Sequence, residues 1–136
     1  MAQVRQRNVA LILARELAVN VTTPMWMWDE AGLLVYYNEP AAAIIGRPFD
    51  DVETMHLDEI DRFRAEDLDG NRIAIEDLPS GIALREKQPS QRVLRMIGLD
   101  GVKRTVSITA IPLFVRGDQF VGAMAVFWQV PEEQGT

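Results

Sequence analysis

The sequence predicts an α+β domain built on an antiparallel sheet, and three observations carry that prediction. A strand–turn–strand unit over about 24–38 runs straight into a short helix. Three longer strand-like runs, separated by tight turns, close the chain. The stretch between them is short helical pattern with no βαβ alternation, which keeps helices and strands apart.

Residues 3–20 read as helical, because Val9, Ile12, Leu13 and Leu17 fall at helical spacing with no Gly or Pro before Pro24. Ala10, Leu11, Ala14, Ala18 and Val19 widen the stripe. A helix apolar over most of its circumference needs cover on more than one side, and the expected covers are the domain's own sheet and a partner chain. The expected organisation is a capping and dimerising helix over 1–22, a domain over 23–130 and a flexible tail over 131–136.

Met25 to Trp28 is an aromatic and thioether run suited to a half-buried pleated surface. In the turn Asp29-Glu30-Ala31-Gly32, Asp supplies a local acceptor and Gly a positive φ. Leu33 to Tyr37 resumes the apolar run, and Asn38 is placed to cap a helix over 39–45 that stops at Gly46. From Asp50 to Asn71 the pattern is broken, with helical fragments over 51–53 and 57–63. Ile75, Leu78, Ile82 and Leu84 then predict a helix to about Lys87, with Pro79 tolerable in its first turn. Strands follow over 91–97, 102–114 and 120–130, joined by Asp100-Gly101 and Arg116-Gly117-Asp118.

Composition excludes several function classes. The chain has 136 residues, 48% of them hydrophobic and 25% charged, which suits one soluble globular domain. A net charge of −6 argues against nucleic acid and anionic membrane as partners, since both reward a basic face. Eleven carboxylates fall between Asp50 and Asp77, and they read as a solvated face. There is no cysteine, which removes disulfides, thiolate catalysis and Cys-type zinc sites. No apolar run reaches the roughly 18 residues of a bilayer span. The expected setting is cytoplasmic.

The Asp29/Gly32 turn, Asn38 after Tyr37, Gly46 closing the first short helix and the Asp100-Gly101 hairpin together resemble the PAS domain over essentially the whole chain. Pro112, Gly122 and the ending Val126-Phe127-Trp128-Gln129-Val130 fit the same pattern. Asp69-Gly70-Asn71-Arg72 followed by Leu78-Pro79 resembles PAS domains of bacterial signalling proteins in particular. The resemblance implies a five-stranded antiparallel sheet, with short helices around a core or cavity on one face. On the other face it implies an N-terminal helix that also dimerises. PAS domains usually sit beside an output domain, and none is visible, so a stand-alone module is expected.

The family's familiar chemistries are poorly served. Its flavin photochemistry needs a cysteine. Haem ligation would fall to His56, the only histidine, which lies in an acidic segment well before the family's ligand helix, with Met55 or Met96 as axial partners. The Asp67–Asn71 loop lacks calcium-loop spacing: Gly70 is fourth where a sixth-position Gly is needed, and Glu76 is tenth instead of twelfth. No catalytic or metal-ligating set is proposed, and the expectation is a non-enzyme.

By the family's register, Trp26, Trp28, Val35 and Tyr37 face the helices together with Phe127 and Ala125, and Ile82 belongs to the same pocket set. These residues either fill the core or line a slot for a small apolar or aromatic ligand. The outer face, with Met25, Met27, Val126 and Trp128, turns to the N-terminal helix. Val9, Ile12, Leu13, Leu17 and Trp128 are the expected dimer interface. Function is then expected to be that of a sensory or interaction module: a homodimer acting on a signalling partner without a fixed cofactor. The rivals are a ligand-free constitutive dimerisation domain and a haem-binding sensor.

Overall fold

The computed structural model describes residues 22–48 and 64–131. Along the chain come β1 (Met25–Asp29), β2 (Leu34–Tyr37), α1 (Glu39–Ile45), a single 3-10 turn (Ile75–Asp77), α2 (Pro79–Arg85), β3 (Ser90–Ile97), β4 (Lys103–Val115) and β5 (Gln119–Gln129). The strands make one antiparallel sheet in the order β2-β1-β5-β4-β3. This is the expected α+β architecture, with the last strand returning to the middle of the sheet beside the first. The expected helix over 3–20, the helical fragments over 51–53 and 57–63, and the tail beyond 131 lie outside the described residues.

Local chemistry sets the first hairpin. Asp29 Oδ1 accepts from the backbone N–H of Ala31 (2.9 Å) and of Leu33 (3.0 Å), which fixes the turn through the side chain. Asn38 does two jobs at once. Its Oδ1 accepts from Ala41 N, capping α1, and from Met25 N at the start of β1, both at 3.1 Å. Its Nδ2 donates to the Thr23 carbonyl at 2.9 Å, so a fully buried amide ties helix to strand. Gly46, at φ 96°, ends α1 in the left-handed conformation that glycine adopts without penalty. Arg104 then donates from Nη1 to the Ile44 carbonyl (2.9 Å), pinning the β3–β4 hairpin to the end of α1.

The helix expected over 75–87 is split. A 3-10 turn covers Ile75–Asp77, Leu78 is extended at φ −77° and ψ 147°, and α2 begins only at Pro79. Proline disfavours the helical conformation in the residue before it, and that residue is Leu78.

The inner face of the sheet carries one continuous core. Trp26 stands opposite Ala125, which stands opposite Ala110; Trp28 stands opposite Ala123, which stands opposite Pro112. Two indoles thus occupy the volume that small residues on β5 and β4 leave open. Their rings meet edge-on at 5.4 Å, and Phe127 lies 5.2 Å from Trp26.

Val35 corrects the expected facing. The β1–β2 register shifts between Met27 and Trp28: Trp28 pairs with Leu34 and Trp26 with Tyr37, leaving Val35 as the extra residue. A bulge of this kind breaks period-2 alternation. Leu34 and Tyr37 therefore both face the core, while Val35 packs with Tyr36 against Met25 and Met27.

Candidate functional site

A small cavity of about 20 Å³ lies under α2, against the inner face of the sheet. Its floor is Trp26 from β1, Leu94 and Met96 from β3 and Ile108 from β4, and its roof comes from Leu78 to Ser80. Ala65 closes one side. It is brought there by Glu66, whose backbone pairs with Arg95 along the β3 edge through N–H···O bonds of 2.9 and 2.8 Å.

A side-chain polar contact at this wall joins strand to helix. Trp26 Nε1 donates to Ser80 Oγ at 3.2 Å, and both residues are buried. Trp28, next along the same face, has no such partner: its Nε1 is buried with no acceptor. Tyr37 is also in the core, but its hydroxyl donates to the Arg47 carbonyl at 2.7 Å, and Tyr37 is not among the residues that line the cavity.

Of the six residues expected to form a pocket, Trp26 alone lines the cavity. Trp28, Tyr37 and Phe127 belong to the core packed beside it. Ile82 is half-buried on α2 and lines nothing there, and Val35 is on the opposite face. Sequence reasoning named Met96 only as an axial partner for haem and passed over Ala65, Ser80, Leu94 and Ile108. A signal for two of them was present: Leu94 and Met96 alternate within a strand, which puts them on one face. Ser80 was recoverable from the need of a buried indole for an acceptor.

The expected dimer residues divide. Val9, Ile12, Leu13 and Leu17 lie outside the described residues. Trp128 is on the outer face and 45% exposed. On that face Ser107 stands opposite Trp128, Met25 opposite Val126 and Met27 opposite Met124, with Met27 fully buried. Ile111, opposite Met124, is exposed.

Two acidic turns are structurally occupied. Asp67 accepts from the backbone N–H groups of Asn71 and Asp69, both at 2.9 Å, and the Asn71 bond leads in holding its carboxyl below the ordinary value. Asp100 is lowered first by the side-chain hydrogen bond from Arg104 and next by the Val102 N–H. Among the described residues no cluster of His, Asp and Glu could hold a metal ion. No described helix is long and apolar enough to cross a membrane. His56 and Met55 lie outside the described residues.

No protein-family model matches the sequence, and no curated protein matches it. Solved structures do. The PAS domain of BvgS from Bordetella pertussis superposes with a TM-score of 0.62 at 17% identity, over 91% of this chain and 88% of that one. The PAS domain of a two-component sensor histidine kinase gives 0.59 at 13% identity, over 90% and 98%. The fold is that of a PAS domain. A light-oxygen-voltage (LOV) protein from Rhodobacter sphaeroides shares it, with a TM-score of 0.68 at 15% identity over 89% of this chain and 67% of that one.

Among the described residues, the free space beside Trp26 is small. An apolar cavity must reach about 150 Å³ to admit benzene, and a flavin or haem is larger still. Here the cavity is about 20 Å³, because Trp26, Trp28, Tyr37 and Phe127 fill the adjoining space.

Proposed function

We propose that this PAS domain is a cytoplasmic sensory or interaction module of bacterial signal transduction, acting as a homodimer on a signalling partner and without catalysis. The observation that carries the reading is the outer sheet face. It holds the covered Met25 and Met27 with Met124 and Val126 packed on them, and it exposes two large apolar side chains, Trp128 and Ile111, among Ser107 and Thr109 of β4. Exposed large apolar side chains beside a buried apolar cluster are the kind of patch that marks a binding surface. The segment 3–20 supplies a matching apolar stripe in Val9, Ile12, Leu13 and Leu17. The likeness to PAS domains of BvgS and of a sensor histidine kinase supports a role in signalling. A signal would act by favouring one of two packings on this face.

The test is native mass spectrometry with an absorbance scan of the purified chain. A dimer mass with no flavin or haem band is the expected result. A strictly monomeric mass would remove the homodimer, and a stoichiometric visible band would contradict the filled interior. The packed core also favours a second reading, a constitutive dimerisation domain with no ligand, which predicts the same mass and no response of the interior to small molecules.

A further inference from the structure

We propose that Met124, on the outer sheet face, is a site of reversible oxidation, and that its sulfoxide loosens the apolar packing of that face. The inference rests on the homodimer reading above and supplies a regulation for the same surface.

The sequence confines such chemistry to thioethers. The chain has six methionines and no cysteine, so methionine is the residue type here that takes up an oxygen atom reversibly. Burial then selects among them. Met25 is 6% exposed, Met96 2%, and Met27 is fully buried. Met124 is half-buried. It is therefore the most open methionine among the described residues; Met1 and Met55 lie outside them.

Position gives the modification a consequence. β5 is the middle strand of the sheet, between β1 and β4. Met124 stands opposite Met27 across the first pairing and opposite the exposed Ile111 across the second. With Val126 it packs on the buried pair Met25 and Met27, so three thioethers share one patch. An unbranched, soft thioether fills such a surface well. Its sulfoxide carries a strong acceptor oxygen, and an acceptor among apolar side chains costs free energy unless a donor or water meets it.

The oxidant is a peroxide. The sulfur lone pair attacks one peroxide oxygen, the O–O bond breaks and an S–O bond forms. The second oxygen leaves as water, taking the proton of the first when the oxidant is hydrogen peroxide. Sulfur loses two electrons and the peroxide gains them. A dithiol reductant reverses the step, giving its two hydrogens to yield the thioether, a disulfide and water. Where a second copy covers the face, the sulfur is reached in the separated chain. The sulfoxide then shifts the equilibrium towards the monomer.

The experiment treats the full chain with limiting hydrogen peroxide. Each methionine is followed by peptide mass spectrometry and by the NMR signals of isotope-labelled methionine methyl groups. Met124 should gain oxygen several-fold faster than Met25, Met27 and Met96. Its oxidation should move the Met25 and Met27 methyl signals and leave Met96, on the inner face, in place. Sedimentation should then show the oxidised chain dimerising several-fold more weakly, with recovery on treatment with a methionine sulfoxide reductase. Met124→Leu, compared before and after peroxide, should show no such loss. Oxidation of Met124 no faster than that of Met96, or unmoved Met25 and Met27 signals, would overturn the inference. An equal loss in peroxide-treated Met124→Leu would overturn the part assigned to Met124. A chain that is monomeric before treatment removes the homodimer alone, because the order of oxidation and the methyl signals do not depend on it.

Discussion

Trp26 Nε1 donates to Ser80 Oγ across 3.2 Å, joining the first strand to the helix above it inside the core. Ser80→Ala would remove the Ser80 acceptor from the indole N–H. The expected cost is about 1 kcal/mol in urea denaturation, the net contribution of a typical buried hydrogen bond. Because Trp26→Phe removes the donor as well, the double variant should lose less than the sum of the two single losses. Additive losses would mean that the bond contributes nothing.

The two inward tryptophans should respond differently to phenylalanine. Trp28 has no acceptor for its Nε1, so Trp28→Phe gives up ring volume and relieves an unpaired donor. Trp26→Phe gives up volume and strands the Ser80 oxygen. Trp28→Phe should be the milder substitution. Trp28→Ala, which empties a fully buried site, should cost about 3–5 kcal/mol. A loss below about 1 kcal/mol would contradict the burial that defines this core.

Gly122 sits where β5 meets β1, at φ 150°, and a Cβ there would collide with the Trp28 carbonyl. That backbone cannot yield without breaking the β1–β5 pairing. Gly122→Ala should therefore destabilise the domain by more than the roughly 1 kcal/mol that such a substitution gains at an unstrained position, read as a lower melting temperature. An unchanged melting temperature would show that the central pairing is looser than described.

Acid should destabilise the domain through two turns. Asp100 and Asp67 both titrate below the ordinary 3.8 in the folded chain, the first chiefly through Arg104 and the second chiefly through the Asn71 N–H. A carboxyl with a depressed folded value stabilises the fold above its unfolded value and loses that contribution as pH falls through the folded one. Melting temperature should thus be flat above the ordinary carboxyl range and fall below it. Asp100→Asn should show a shallower fall than the wild-type chain.

The sheet, its turns and α1 were legible because each has a local cause: the Asp29 turn, the Asn38 cap, the Gly46 stop and period-2 alternation in the long strands. Val35 was misplaced because a bulge is a pairing event between β1 and β2, and no pattern within β2 announces it. The helix over 75–87 was drawn too long because its apolar spacing outweighed the effect of Pro79 on Leu78. Most of the cavity was not legible, since Ala65, Ser80 and Ile108 meet only through contacts distant in the chain. Ala125 was placed inward, but Ala110 and Ala123 gave no hint that they make room for two indoles.

The central claim is that the outer sheet face and segment 3–20 hold two copies together. Sedimentation velocity on the wild-type chain, on Trp128→Glu and on Leu13→Glu/Leu17→Glu tests it most directly. A wild-type dimer and two folded, monomeric variants are the predicted result; a wild-type monomer at every concentration, or variants that remain dimeric, would contradict it.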